Sequence, residues 1–332
     1  MLKILLAAAA ATAIALPALA VEFRPAVVFD MGGKFDKSFN EGVWNGIQRF
    51  TEDTGVEVLE FEVTNETQRE QAMRRMIRRG DATLVIGVGF AQADAIDTVA
   101  ADNPNVQFAI IDVSWLDRPN LRQYAFKEHE GSYLVGVAAA LASESGTVGF
   151  VGGMDIPLIR RFACGYVQGV VETDPDATVI QNMTGTTPAA WNDPTKGAEL
   201  ANSQIDRGAD VVYHAAGGTG VGVIRAAADA GKLAIGVDSN QNGLAPGTVL
   251  TSMVKRVDVA AYDTLMDAML GEFTPEVRIL GVAEDGVDWA LDENNAELIT
   301  DEIKAAVEAA RAKIIAGEIV VHDYMADDTC PF

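Results

Sequence analysis

The stretch VFDMGGKFDKSFNEGVWNG, residues 28–46, decides the fold of this chain, because it combines the end of a strand, a glycine turn and the start of a helix. Residues 27–29 form a β-branched and aromatic run typical of a buried strand. The glycine pair at 32–33 permits a tight turn, and Ser38 or Asn40 is predicted to cap the helix that follows. A strand, a turn and a helix in this order are typical of an open α/β sheet.

Two side chains of this stretch, Asp30 and Phe39, are expected to face the carboxyl end of the predicted strand. Open α/β proteins bind small molecules in the crevice outside the carboxyl ends of their strands. A purely structural role also fits these residues, with Asp30 capping a loop and Phe39 packing into the core. The residues alone leave both interpretations open.

Strand patterns and helix patterns alternate along most of the chain. Each helical segment carries apolar residues three or four positions apart, which is typical of an amphipathic helix. The strands are predicted at 26–30, 56–63, 83–87, 107–113, 148–152, 178–182, 210–214 and 233–238, and the helices between them at 66–79, 91–102, 131–144, 193–207 and 221–230. This alternation predicts parallel sheets with right-handed crossovers.

The alternation restarts near residue 148, which predicts two similar lobes. Removing the first 20 residues from 332 leaves 312, and single cores stop growing at roughly 250 to 300 residues. Helical patterns at 257–270 and 295–317 complete the chain, and no long Gly-, Ser- or Pro-rich linker separates the halves. We expect an N-terminal lobe from 21–126 plus 252–280, and a C-terminal lobe from 127–251 plus 281–332.

The first 20 residues resemble a secretory signal peptide. Lys3 precedes an apolar stretch at 4–16, Pro17 interrupts it, and Ala-Leu-Ala at 18–20 fits a cleavage site. The apolar stretch is short compared with the roughly 20 residues of a membrane-spanning helix. Because the residue directly after the predicted cleavage site is Val21 and not a cysteine, no lipid anchor is expected. The sequence therefore predicts a protein free in the periplasm.

Charge and motifs exclude several classes of function. The chain carries 25 basic and 48 acidic residues, a net charge of -23, which repels nucleic-acid backbones. The GGTGVG stretch at 217–222 lacks the GxGxxG spacing of a dinucleotide site, and no nucleotide-binding P-loop occurs. The three histidines lie in separate segments, so neither metal binding nor a catalytic triad is favoured. No cofactor is expected.

Cys164 and Cys330 are the only cysteines of the chain. In an oxidising compartment, an isolated pair of cysteines is more often a disulfide than a metal site or a catalytic group. We therefore predict a bond between them, which would tie the C-terminal tail to the second lobe.

Polar residues at several strand ends share the setting of Asp30. Asp112 closes one predicted strand, Asp238 closes another, and Lys255 ends the apolar run VLTSMVK. Together they could form a polar ring for a neutral, hydroxyl-rich ligand, because carboxylates accept from O–H and N–H groups while lysine donates. Trp191, in a turn-rich loop, either packs down or faces Phe39 across a flat ligand.

Several motifs together resemble the basic membrane protein family of substrate-binding proteins, which includes the PnrA-like purine nucleoside receptors of ABC importers. The resemblance covers residues 26 to about 324. The motifs that carry it are FDMGGKFDKSFNEGVWNG, VIGVGFAQADA, VGFVGGMDIPLIRRFACGY, WNDPTKG, IGVDSNQ and VLTSMVK.

This resemblance implies an α/β type I periplasmic-binding-protein fold, in which three crossovers join two doubly wound lobes around a ligand. The base would stack between Phe39 and Trp191, and the ribose would meet Asp238 and Lys255. The complete ligand-binding set implied by the motifs is Asp30, Phe39, Asp112, Trp191, Gly217, Asp238 and Lys255. The partners implied are a purine nucleoside and a membrane ABC permease, with the receptor itself a monomer.

Other functions remain open at this stage. Within the binding class, the ligand could be a flavin, a sugar or an autoinducer. A secreted nucleoside hydrolase could use the same acids. A sugar-type repressor core shares the fold, but the predicted signal peptide and the absence of a DNA-binding headpiece argue against it.

Overall fold

A computed structural model of the protein describes residues 22–332, and the predicted signal peptide at 1–20 lies outside them. The strands are β1 (Pro25–Phe29), β2 (Leu59–Glu62), β3 (Leu84–Val88), β4 (Gln107–Ile111), β5 (Leu121–Phe126), β6 (Thr147–Met154), β7 (Thr178–Gly185), β8 (Val211–Ala215), β9 (Leu233–Asp238), β10 (Val249–Lys255), β11 (Val277–Leu280) and β12 (Val287–Trp289). The helices are α1 (Phe39–Thr54), α2 (Gln68–Gly80), α3 (Ala93–Asp102), α4 (Glu128–Ala142), α5 (Pro157–Thr173), α6 (Pro194–Asp206), α7 (Gly220–Asp229), α8 (Val257–Leu270) and α9 (Asp301–Ile315).

The strands form two sheets of six. The first has the order β11-β5-β4-β3-β1-β2, and the second the order β12-β10-β9-β8-β6-β7. Every pairing in the first sheet is parallel. In the second sheet only β12 runs antiparallel to its neighbour β10. The predicted α/β class with two mostly parallel, doubly wound sheets is therefore confirmed.

The chain passes from one sheet to the other three times, after β5, after β10 and after β11. The second passage does not lie at residue 252, as was predicted from the sequence. Strand β10 continues to Lys255 beside β9, with Val254 opposite Asp238. Its apolar residues are buried in the second lobe as far as Met253, so the chain leaves that lobe only at the end of the strand.

Two helix starts also differ from the sequence-based predictions. Neither Ser38 nor Asn40 caps α1 with its side chain. Asp36 does so, because its carboxylate accepts from the backbone N–H groups of Ser38 at 2.8 Å, Asn40 at 3.1 Å and Glu41 at 3.1 Å.

Helix α9 begins at Asp301 and not at Asn295. Thr300 caps it by accepting from the N–H of Ile303. The buried side-chain amide of Asn295 instead donates to the carbonyls of Leu250 and Ala290 and fixes the preceding turn.

The C-terminal tail is tied to α5. Cys164, which is buried in that helix, is bonded to Cys330. Arg161 of the same helix also pairs with Asp323 of the tail, with nitrogen-to-oxygen distances of 2.7 Å. Between residues 22 and 332, none of the helices is long and apolar enough to cross a lipid bilayer.

Candidate ligand-binding cleft

A cleft of about 630 Å³, which includes space open to solvent, lies between the two lobes at the carboxyl ends of the strands. All seven residues predicted as ligand-binding line this cleft: Asp30, Phe39, Asp112, Trp191, Gly217, Asp238 and Lys255.

The first lobe contributes Phe39 and Asp30 to one end of the cleft. Both lie beside Gly89, which has a φ of +94° and no side chain to separate them. A Cβ atom at Gly89 would be 3.4 Å from Asp30 Oδ2 and 3.6 Å from Phe39 Cε1. The other carboxylate oxygen of Asp30 accepts from Arg69.

The second lobe contributes Trp191, at the end of a short 3₁₀ turn. Its indole lies directly against the backbone of β6, and a Cβ atom at Gly153 would overlap the six-membered ring. The Cβ atom of Trp191 is 3.5 Å from the position that a Cβ atom would take at Gly32 of the first lobe. Gly217, with a φ of +55°, brings its backbone close to the carbonyl of Trp191. The two lobes therefore approach each other at this tryptophan.

Lys255, at the end of β10, lies on the side of the cleft that carries Asp112. Its side chain is only 2% exposed, and its Nζ atom lies 2.6 Å from Asp112 Oδ1 and 2.9 Å from Glu128 Oε1. The same atom lies 5.1 Å from the centre of the Phe39 ring. Strand β3 separates β1, which precedes Asp30, from β4, which precedes Asp112, so Asp30 and the Asp112–Lys255 pair lie on opposite sides of Gly89.

Asp238 joins the two lobes through Ser38. The Ser38 hydroxyl donates to Asp238 Oδ2 at 2.6 Å. Nearby, the Ser239 hydroxyl donates to the Ser38 carbonyl at 2.8 Å, and Gln241 Nε2 donates to the Lys37 carbonyl at 2.8 Å. The start of α1 in the first lobe is therefore hydrogen-bonded to the segment that follows β9 in the second.

Asp112 and Asp238 occupy equivalent places at the ends of β4 and β9. Both have left-handed backbones, with φ values of +70° and +63°. Aspartate tolerates this conformation better than most residues, but it still costs free energy. Such backbone strain is concentrated at ligand sites, where the surrounding structure maintains it.

Burial dominates the ionisation of the cleft. Burial raises the pKa of Asp112 to about 6 against the attraction of Lys255, and raises the pKa of Asp36 to about 7 against three backbone N–H donors. The pKa of Asp238 is raised by burial as well. Burial alone would lower the pKa of Lys255, but Asp112, Glu128 and Asp238 together raise it above its ordinary value. Lys255 therefore stays charged.

Several residues of the cleft were not predicted from the sequence. The apolar wall from α5 consists of Leu158, Ile159 and Phe162, and their spacing would have indicated only a buried helix face. Asn40 is 3% exposed, and its Oδ1 atom has no hydrogen-bond partner among the described residues. Asn40 follows Phe39 directly, so its place beside the predicted aromatic was the available signal.

His214 is fully buried, and its Nε2 atom hydrogen-bonds with Gln241 Oε1 at 3.0 Å. Over residues 22–332, no group of three or more His, Cys, Asp or Glu side chains is arranged to hold a metal ion.

Comparisons with known proteins agree with this architecture. A sequence model of the family described as "ABC transporter substrate-binding protein PnrA-like" matches residues 23–324. The CD4+ T-cell-stimulating antigen of Listeria monocytogenes is 34% identical over 322 residues, which cover 90% of this chain and 88% of that protein. The ABC transporter nucleoside-binding protein BmpA of Lactococcus lactis is 32% identical over 322 residues, covering 90% and 89%.

A solved structure is similar over nearly the whole chain. The ABC transporter solute-binding protein of Aeropyrum pernix superposes with a TM-score of 0.84 and 29% identity, covering 92% of this chain and 95% of that one. The type I periplasmic-binding-protein fold implied by the motifs is thereby confirmed. The family match, the relatives and the fold lead to one conclusion: the chain belongs to the PnrA-like family of ABC transporter substrate-binding proteins.

Proposed function

We propose that this protein is a periplasmic receptor that encloses a purine nucleoside between its lobes and delivers it to a membrane ABC permease. The observation that carries the proposal is the pair of aromatic residues, Phe39 and Trp191, which come from different lobes and line the same acid-rich cleft. A relative that is 32% identical is named a nucleoside-binding protein, which supports the same ligand class.

The aromatic pair suits the flat base of a nucleoside. Stacking of a base on an aromatic side chain contributes roughly 1 to 3 kcal/mol. Two such faces could supply a large part of the roughly 8 kcal/mol that corresponds to micromolar affinity. The polar groups at Lys255 and Asp238 would then hold the ribose, since carboxylates accept from hydroxyls and the ammonium group donates to oxygens.

The charge of the cleft favours a ligand without phosphate. Four carboxylates line it, from Asp30, Asp36, Asp112 and Asp238. Lys255 is the single cationic side chain among the described residues of the lining, and it already contacts Asp112 and Glu128. A phosphate group would lose its hydration and meet net negative charge. We therefore expect nucleosides to bind and nucleotides to be rejected.

Capture by a receptor requires closure and breaks no covalent bond. A ligand shifts an equilibrium between open and closed forms only if it binds the closed form better. Contacts to Phe39 on one lobe and Trp191 on the other would supply that difference. The periplasmic location is part of the proposal and rests on the predicted signal peptide.

Mass spectrometry of the small molecules released when the purified protein is denatured tests the ligand class. We expect a purine nucleoside at close to one equivalent per chain, and its absence from the same preparation of a Phe39→Ala, Trp191→Ala double variant. Release of a sugar or a flavin would contradict the proposal. Incubation with inosine or guanosine separates the hydrolase alternative, because a receptor leaves no free base.

A further inference from the structure

Arg69 of α2 is absent from the lining of the cleft but binds Asp30, which lines it. Its Nε and Nη2 atoms both donate to Asp30 Oδ1, at 3.2 Å and 3.1 Å. The two side chains are largely buried, at 11% and 14% exposed. Because Arg69 uses only one of the two carboxylate oxygens, Oδ2 is left on the side of Gly89 and the Phe39 ring.

Asp30 Oδ2 lies close to the place that a ligand stacked on Phe39 would occupy. Both Asp30 Oδ2 and Phe39 Cε1 lie within 3.6 Å of the same point above Gly89. Gly89 follows β3, which lies between β1, the strand before Asp30, and β4, the strand before Asp112. Because Lys255 contacts Asp112 and lies 5.1 Å from the centre of the Phe39 ring, a flat ring stacked on Phe39 would have Asp30 on one side and Lys255 on the other. Asp30 is placed to distinguish bases by the hydrogens on the edge that faces it.

Arg69 also sets the charge of Asp30. Burial raises the pKa of Asp30, and the charge of Arg69 is the largest influence that opposes this rise. The backbone N–H of Met31 acts in the same direction as Arg69, whereas the carboxylate of Glu66 acts with burial. Without Arg69, Asp30 would bind a proton at a higher pH. An ionised carboxylate only accepts hydrogen bonds, whereas a protonated one also donates.

With the ribose held at Lys255 and Asp238 as proposed, the edge of the base across from the sugar, which carries N1 and the 6-substituent, would face Asp30. The two common types of purine differ at this edge. A 6-oxopurine, as in inosine and guanosine, carries a hydrogen on N1, whereas adenine has a lone pair there and its amino group is flanked by acceptor nitrogens. We propose that Arg69 makes the cleft selective for 6-oxopurine nucleosides over adenosine, by holding Asp30 as a carboxylate that only accepts. This inference rests on the proposed function. Arg69 is thus a positioning residue, which acts through Asp30.

Calorimetric titration of ligand-free protein with inosine and with adenosine, from pH 5 to 8, tests the inference. A hydrogen bond to a charged group, or its loss, changes affinity by about 10-fold to 100-fold. We therefore expect inosine to bind about 10-fold to 100-fold more tightly than adenosine to the wild type at neutral pH. Arg69→Gln should lose most of this ratio, whereas Arg69→Lys, which keeps the charge, should retain it.

The pH dependence gives the inference a second readout. Arg69→Gln raises the pKa of Asp30 further. As the pH is lowered, the affinity of this variant for inosine should therefore begin to fall at a higher pH than the affinity of the wild type does. The affinity of the variant for adenosine should rise over the same range, because a protonated Asp30 can donate to adenine N1. Arg74 of the same helix, which pairs with Glu70 and Asp102 away from the cleft, provides the control variant Arg74→Gln, expected to behave as the wild type.

Several results would overturn the inference, and they differ from a failure of the proposed function. If Arg69→Gln weakens both nucleosides equally, Arg69 is merely structural. If the wild type binds inosine and adenosine equally, the selectivity is refuted while the nucleoside receptor stands. If no purine nucleoside binds, both proposals fail. Should Arg69→Gln not fold, Asp30→Asn replaces it, and an unchanged ratio in that variant overturns the inference.

Discussion

At the scale of single residues, the account depends on Phe39 and Trp191. We predict that Phe39→Ala and Trp191→Ala each weaken nucleoside binding by about 10-fold to 100-fold, because each removes one stacking face of roughly 1 to 3 kcal/mol. Calorimetric titration of each variant measures this loss. Phe35→Ala and Trp115→Ala are matched controls, since these side chains are 57% and 59% exposed and neither lines the cleft. Normal affinity in both test variants would refute the stacking arrangement.

The candidate site could be predicted from sequence where each residue follows a recognisable strand. Asp30, Asp112, Asp238 and Lys255 each lie at or directly after the end of one, and the carboxyl ends of parallel strands meet at one edge of a sheet. Their pairing could not be predicted in this way. Lys255 was expected to act with Asp238, yet its shortest contact is with Asp112, 143 positions away by the difference of their numbers, 255 - 112. Contacts of that kind depend on how the two lobes are placed.

At the scale of elements, the start of α1 is hydrogen-bonded to the segment after β9. We predict that Ser38→Ala weakens ligand binding by about 10-fold or more. Asp238 Oδ2 then loses a buried donor, which costs roughly 1.5 to 3 kcal/mol for a hydrogen bond to a charged group, and the closed form is destabilised. Small-angle X-ray scattering with a saturating and a sub-saturating nucleoside concentration measures the balance between open and closed forms.

The control for this variant is Ser203→Ala, at an exposed position of α6. It should keep both the affinity and the compact scattering profile of the wild type. If Ser38→Ala binds the ligand as tightly as the control, the contact between α1 and the segment after β9 does not contribute to closure.

The disulfide joins helix α5 to the C-terminal tail. We predict that Cys330→Ser lowers the free energy of unfolding by about 2 to 4 kcal/mol, because the bond between Cys164 and Cys330 restricts the unfolded chain over a separation of 166 residues. Urea unfolding followed by circular dichroism measures it, with reduced wild-type protein for comparison. Nucleoside affinity should be unchanged, since neither Cys164 nor Cys330 is among the described residues that line the cleft. An unchanged unfolding midpoint would contradict the predicted role of the bond.

The ends of the elements were the least predictable from sequence. Helix α1 was expected to use Ser38 or Asn40 as its cap, and both are typical capping residues. The Ser38 hydroxyl is engaged by Asp238 of the other lobe instead, so Asp36 provides the cap. Likewise, the apolar pattern before α9 continued into a turn that the Asn295 amide holds in a non-helical form. In both places a tertiary contact overrides the local preference.

At the scale of the whole molecule, the repetition of strands and helices was enough to predict two parallel-sheet lobes. It was insufficient to place the second crossover, because the apolar pattern of β10 fits a buried strand of either lobe. Neither lobe contributes all the residues of the candidate site. Asp30, Phe39 and Asp112 come from the first, and Trp191, Gly217 and Asp238 from the second. A ligand can therefore contact all of these residues only when the two lobes are closed around it.

Calorimetric titration of ligand-free wild-type protein with guanosine and with guanosine 5′-monophosphate is the decisive test of the proposed ligand class. Two aromatic faces and a ring of carboxylates predict one guanosine per chain with micromolar or tighter affinity. The nucleotide should bind at least about 100-fold more weakly, because its phosphate meets net negative charge in the cleft. Absence of guanosine binding, or tighter binding of the nucleotide, would contradict the proposed function.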